Sequence, residues 1–327
     1  ADVKRRAIAS RTYRVKIPTS NGQGPFQMGA TMNLDLAGNM SSSYYDFAQS
    51  YFKMKITNTG GATPANDVTL DGNSGAYCLI NRLQCITGGQ TISDIQQFNV
   101  LASALMTQNV SSSWANNVGC NLVGTGQTGA MAGVVIPAAG GEVTVCLPFI
   151  LTALSGTTPT RYIPAFSRDM LRFRFYLESV VAGFQGVIAA GQTLTISDTE
   201  AIMYIVELSP TAQSLVNAMT GGVYNLLCAD YRTANGSFIA AGGAPITTVQ
   251  TLGVLTQLAN SIGARVQPNL SEYQLLINGQ AFPERPILYE GAVGLNAGAE
   301  TMAETLVAQH ALSDFGHDSC LSEDGKG

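Results

Sequence analysis

Hydrophobic and polar side chains alternate along several stretches of the chain with the two-residue period of a half-buried β-strand. From Tyr51 to Thr57, Phe52, Met54 and Ile56 fall on one face and Tyr51, Lys53, Lys55 and Thr57 on the other. Leu171, Phe173, Phe175 and Leu177 repeat the pattern against Arg172, Arg174, Tyr176 and Glu178, and Ala201 to Leu208 supply a further strand after a Gly-rich gap. Tyr273 to Ile277 runs straight into Asn278-Gly279, a pair suited to the positive φ angles of a type I′ hairpin turn. Helical period is confined to three places: Ile95, Phe98, Leu101 and Leu105 after Ser93-Asp94; Ala212 to Met219 after Ser209-Pro210; and Met302 to Leu312. Ser209-Pro210 is the clearer start, a capping hydroxyl followed by a first-turn proline. The intervening stretches Gly60 to Gly75, Val118 to Gly133 and Ala240 to Thr248 are Gly-, Asn- and Thr-rich and long for simple hairpins. Many strands, few helices and no βαβ alternation predict an all-β chain, an antiparallel sandwich or barrel with a few short connecting helices.

At 327 residues the chain is too long for one small barrel and comfortable for two packed β domains. Charged residues make up only 12% of it, about half of the roughly 25% usual in soluble domains. Two explanations fit: much of the exterior lies against neighbouring copies, where charge is depleted, or the surface is simply one of Gly, Ala, Thr and Asn loops. The net charge of −5 speaks against a chain-wide nucleic-acid footprint. The N-terminus differs, with Lys4, Arg5, Arg6, Arg11, Arg14 and Lys16 opposed only by Asp2. Such an arm, residues 1–20, suits contact with nucleic acid or anionic lipid; the simpler reading is a solvated chain end.

Catalytic and metal-binding patterns are sparse. Cys78, Cys85, Cys120, Cys146, Cys228 and Cys320 include no CxxC pair and no partnered His, so they read as buried free thiols rather than zinc ligands, with one or two disulfides left open. Only His310 and His317 are available for imidazole chemistry. Gly124 to Gly129 satisfies GxGxxG, but without the strand–turn–helix that aims amides at a pyrophosphate, and it reads as a flexible loop. Asp169, Glu178, Glu207, Glu284 and Glu290 are the carboxylates a hydrolase would draw on, each more simply a surface or turn residue. Trp114 is a candidate sugar platform and, more simply, a core or interface anchor. No catalytic residue, cofactor or metal is assigned, and no apolar run is long enough to span a bilayer.

Read in order, these segments resemble a known family. Ser43 to Ile56, with Asp46-Phe47 and Ser50-Tyr51 leading into an alternating strand, is similar to the early strand of double jelly-roll, hexon-like major capsid proteins of DNA viruses, in particular polinton-like viruses and virophages. Leu79 to Ile92 resembles the family's strand, short turn and strand, and Arg168 to Leu177 and Ala201 to Ser209 resemble the end of its first barrel. Tyr273 to Pro286, with Asn278-Gly279 and two downstream prolines, is similar to a segment of the second barrel, although the proline spacing differs. The resemblance implies two jelly rolls in tandem, over residues 21–221 and 222–327. The 41 residues after Pro286 are too few to complete eight strands in the second. It further implies a non-enzymatic subunit that trimerises into pseudo-hexagonal capsomers of an icosahedral virion, assembled inside the host cell. Its partners would be itself, neighbouring capsomers and minor capsid, penton or cement proteins, with the arm facing genome or an internal membrane. The alternative is a carbohydrate-binding or hydrolytic jelly roll.

Overall fold

In a computed structural model, the described residues are 10–61, 66–126, 132–149, 162–166, 169–179 and 193–221, then 224, 231, 234–239, 245–250, 254–258, 272–277 and 279–288. The first part of the chain forms β1 (Ser10–Pro18), β2 (Phe26–Gln27), β3 (Thr31–Leu36), β4 (Ser43–Asn58), β5 (Val68–Asp71), β6 (Ile80–Thr87), β7 (Gln90–Gln96), β8 (Ala132–Ile136), β9 (Glu142–Pro148), β10 (Tyr162–Pro164), β11 (Leu171–Leu177) and β12 (Leu194–Leu208). Two sheets result. One runs β1-β12-β4-β10, with β9 also on β4 and β2 on β12, and the other runs β3-β11-β6-β7. With the principal strands lettered B to I in chain order, and β9 and β10 sharing position G along β4, the sheets read B-I-D-G and C-H-E-F. That interleaving of antiparallel strands is a jelly roll.

The alternation that predicted the strands is the alternation that fills the roll. Along β11 the side chains alternate strictly between buried and half-buried, and along β4 Phe52, Met54 and Ile56 are all buried. The two sheets meet through aromatic rings: Phe52 stacks on Phe175 at 4.8 Å, and Phe47 and Phe149 approach Phe173 edge-on or tilted at 5.8 and 5.7 Å. Met32, Leu34 and Leu36 of β3 and Leu194, Ile196 and Met203 of β12 complete the layer, all fully buried.

Several expectations change. Ser10–Pro18 is strand β1, paired along its length with β12, so the roll begins inside the segment expected to be an arm. Tyr13, Val15 and Ile17 alternate there with Arg14 and Lys16 and pack against the core, a period-2 signal partly hidden by the basic residues. The first helix is Phe98–Asn109 and starts from Gln97 in the left-handed region, φ 50°, while Ser93, Asp94 and Ile95 belong to β7. Here the strand pairing overrides a helical spacing. The stretches expected to be bare loops, 60–75 and 118–133, contain β5 and the start of β8, which pair with each other. The Pro210–Thr220 helix forms where expected, with the Ser209 hydroxyl accepting from the Ala212 N–H at 3.2 Å.

Downstream, β13 (Ala234–Ile239), β14 (Pro245–Gln250) and β15 (Val254–Leu258) form one three-stranded sheet. β16 (Glu272–Ile277) and β17 (Gln280–Leu288) form a hairpin in which Ile277 pairs with Gln280 and Gly279 has φ 82°. Only a residue without a Cβ adopts that angle freely, which is why Asn-Gly marked the turn. The expected helix over Met302 to Leu312 lies outside the described residues.

Candidate functional site

Among the described residues the two sheets pack closely. An apolar void of about 20 Å³ between them, bordered by Phe52, Tyr77, Phe98, Leu147, Phe149 and Phe175, has room for about one water and not for a sugar or cofactor. Burial pushes the Tyr77 phenol and the Cys78 thiol well above their ordinary values. Among the described cysteines, Cys78, Cys85, Cys120 and Cys146 are free thiols, the first three buried. Cys228, Cys320, His310, His317 and Glu290 lie outside the described residues. Among the described residues no group of three or more His, Cys, Asp or Glu could hold a metal, and no helix is long and apolar enough to cross a membrane.

The candidate carboxylates are scattered. Glu207 binds Arg11 at 2.6 Å across the β1–β12 ladder, Asp169 sits exposed beside the Gly88 turn, and Glu284 is exposed on β17. Glu178 is not on an exposed strand face: just past β11 it accepts from the Asn81 and Asn99 side-chain amides at 2.7 and 3.0 Å and helps join the Phe98–Asn109 helix to the sheet. Trp114 packs against the core, its ring lying over Gly119 so closely that a Cβ there would sit 2.4 Å from it. The GxGxxG segment is not a flexible loop in its first half. Gly124, Thr125 and Gly126 are buried, and Gly126 N–H donates to the Gly72 carbonyl at 2.9 Å.

The features with organised chemistry lie on the outer faces of the sheets. On C-H-E-F, Arg172 grips Asp35 through two hydrogen bonds of 2.5 and 2.8 Å, and Arg82 grips Asp94 through bonds of 2.7 and 2.5 Å. Both aspartates are held below the usual carboxylate range, each chiefly by its arginine. The Arg82 guanidinium also lies over the Tyr176 ring at 5.2 Å. On B-I-D-G, Glu200 takes Lys53 at 3.1 Å and Lys16 at 3.5 Å, and Lys55 reaches Glu142 and Asp198. Burial raises the Glu200 pKa, but the lysines outweigh it and the net shift is downward.

The basic N-terminal residues are thereby divided. Arg11, Arg14 and Lys16 are sheet residues, with Arg11 on Glu207, Arg14 bonded to the Tyr51 hydroxyl at 3.0 Å and Lys16 on Glu200. Lys4, Arg5 and Arg6 lie outside the described residues. The partners of these basic side chains, up to 196 positions away, could not be read from the sequence, because only the ladder brings them together.

No protein-family model and no curated protein matches the chain. Solved structures similar to it include PBCV-1 VP54 fitted into a reconstruction of the virophage Sputnik, at 12% identity and TM-score 0.46, covering 73% of this chain and 52% of that one. The Faustovirus major capsid protein is similar at 8% identity and TM-score 0.43, covering 74% and 61%, and the Sputnik virophage structure at 10% and 0.41, covering 74% and 56%. The chain thus spans a little over half the length of the solved chains it matches. These likenesses are distant, and the jelly-roll assignment stands on the strand order itself.

Proposed function

We propose that the chain is a structural subunit of a virus shell, a major capsid protein that trimerises into pseudo-hexagonal capsomers of an icosahedral virion. The observation that carries this reading is the complete B-I-D-G/C-H-E-F roll, its two sheets closely packed among the described residues. Jelly rolls serve viral capsids, lectins and cupins, and a packed interior removes the internal ligand cavity of the last. The ordered resemblance of Ser43 to Ile56, Leu79 to Ile92 and Tyr273 to Pro286 to hexon-like capsid proteins supports the same class. On this reading the strands after residue 222 belong to a second roll in tandem, and three copies of a two-roll subunit approximate sixfold packing. Neighbouring capsomers and minor shell proteins are its partners. The basic residues Lys4, Arg5 and Arg6, which precede β1 in the sequence, are the part of the arm that would contact genome or an internal membrane.

Light scattering of the purified protein, followed by electron microscopy of the same sample, tests this. A trimer that forms hexagonal tiles or closed particles is expected. A monomer at every accessible concentration overturns the proposal, and glycan binding abolished by Trp114→Ala would put the carbohydrate-binding alternative in its place.

A further inference from the structure

Both sheets of the first roll are built from residues up to Leu208, yet two tyrosines well beyond that point pack on it. Gly221 ends the Pro210–Thr220 helix in the left-handed region at φ 61°. The ring of Tyr224 then meets Phe166 edge-on at 5.4 Å, and Phe166 meets Tyr44 of β4 edge-on at 5.3 Å, the arrangement that aromatic quadrupoles favour. Further on, Tyr231 is only 6% exposed and joins the hydrophobic cluster of the roll.

The Tyr224 contact is keyed by hydrogen bonds. Gln213 is buried on the helix, and both ends of its amide are used. Its carbonyl accepts from the Tyr44 hydroxyl at 2.9 Å, while its NH2 donates to Asn217 at 2.9 Å and to the Tyr224 hydroxyl at 3.3 Å. The Tyr224 hydroxyl in turn donates to the Asn217 side-chain carbonyl. Leaving a buried amide or hydroxyl without a partner is costly, so the network favours one placement of Tyr224 where apolar contact alone would accept several. Neither tyrosine belongs to a strand of the roll, so what they hold is the chain that follows it.

Relative motion is the ordinary state of two bodies joined by a linker, unless a specific contact restrains it. We propose that Tyr224 and Tyr231 are the two points of a strap that binds the chain beyond residue 221 back onto the first roll, with Gln213 as its lock. The strands after residue 222 are then carried in a fixed direction rather than on a free tether. The strap goes beyond the shell-forming reading and does not depend on it, since any protein whose two parts must keep one arrangement has use for such a connection.

Hydrogen exchange of the full chain, read by mass spectrometry, compares the parent with Tyr224→Ala and Tyr224→Phe on peptides spanning 222–231 and on peptides from β6 and β11. The parent should exchange over 222–231 more slowly than an unstructured peptide. Tyr224→Ala should speed that exchange about tenfold or more, given the hydrogen bonds and ring contact removed, and leave β6 and β11 unchanged. Tyr224→Phe keeps the ring and loses the hydroxyl, and should fall between the two. A parent that exchanges over 222–231 at the unstructured rate overturns the strap. So does a Tyr224→Ala chain that keeps the parent's slow rate, because the segment is then held by something else. Protection lost from β6 and β11 together with the segment also overturns it, since Tyr224 would then be part of the roll's own folding core. Trimerisation is read separately by light scattering, so the strap and the shell reading fail independently.

Discussion

The two sheets of the roll share one core yet are held in register by different means. The C-H-E-F strands are six to eight residues long, and their outer faces are tied across strands by two bidentate Arg–Asp pairs. In B-I-D-G, β4 has 16 residues and β12 has 15, about 50 Å of strand at roughly 3.3 Å per residue. Strands that long accumulate twist, and both break register. β12 shifts between Ser197 and Glu200, with Asp198 at φ 51°, and again between Ile202 and Tyr204. Opposite the second shift β4 inserts Phe47 to Ser50, an excursion fixed by side chains: Asp46 accepts from the Ala48 and Gln49 N–H groups at 3.1 and 3.3 Å, and the Ser50 hydroxyl donates to the Asp46 carbonyl and accepts from the Tyr204 N–H. The excursion drives Phe47 into the core and hands the outer edge of β4 from β9 to β10. Both sheets carry charge pairs on their outer faces, bidentate Arg–Asp in the short one and Lys–carboxylate in the long one, and the long one adds a buried polar bulge.

The largest expected effect falls on what the sheets share. Phe173→Ala removes a fully buried ring contacted by Phe47, Phe149 and Phe175 and should cost about 3–5 kcal/mol in denaturant unfolding. If the core is common, both sheets lose protection together in hydrogen exchange; loss confined to C-H-E-F would break the picture of one core. Next is the bulge. Ser50→Ala leaves the Tyr204 N–H without its acceptor in a buried setting and should cost about 1–2 kcal/mol, with faster exchange in β4 and β12 and little change in β6 and β7.

The Arg–Asp pairs come third. Asp35 and Asp94 titrate lower in the folded chain than in the unfolded one, so the stability they lend is complete above the ordinary Asp value of 3.8 and is lost as pH falls through their lowered folded values. The double variant Asp35→Asn/Asp94→Asn should lose about 1 kcal/mol or less per site at neutral pH, because the pairs are partly solvated. Its unfolding free energy should also decline less with acidification below that value than the parent's. Equal acid sensitivity in both chains would show that carboxylates elsewhere, Glu200 among them, govern it. The smallest effect belongs to Arg11→Ala, whose side chain is 75% exposed in its pair with Glu207. A change under about 0.5 kcal/mol in thermal melting is expected, and a larger one would mean that the β1 edge depends on charge as C-H-E-F does.

How far the sequence reached follows the range of each interaction. Strand periodicity at Tyr51 to Thr57 and Leu171 to Leu177, the Ser209 cap and the Asn278-Gly279 turn were legible because each depends on neighbours a few residues apart. β1 was obscured by its basic residues, and the helix start was displaced to Ser93-Asp94 because Ile95 fits a helical spacing as well as the strand it joins. Of the outer-face chemistry, the sequence displayed Arg172 and Arg174 as outward residues. It could not supply Asp35, 137 positions away, as the partner of Arg172.

By itself the sequence determined that the chain is β-rich, which faces of its strands are apolar, and where its sharpest turn and best-capped helix lie, since these are set by side-chain period and local backbone sterics. Only the tertiary structure decided the B-I-D-G and C-H-E-F order, the bulge that interrupts the longest strand, and the burial of Gln213. Each depends on residues far apart in the chain, as the buried Gln213 depends on the Tyr44 hydroxyl 169 positions away.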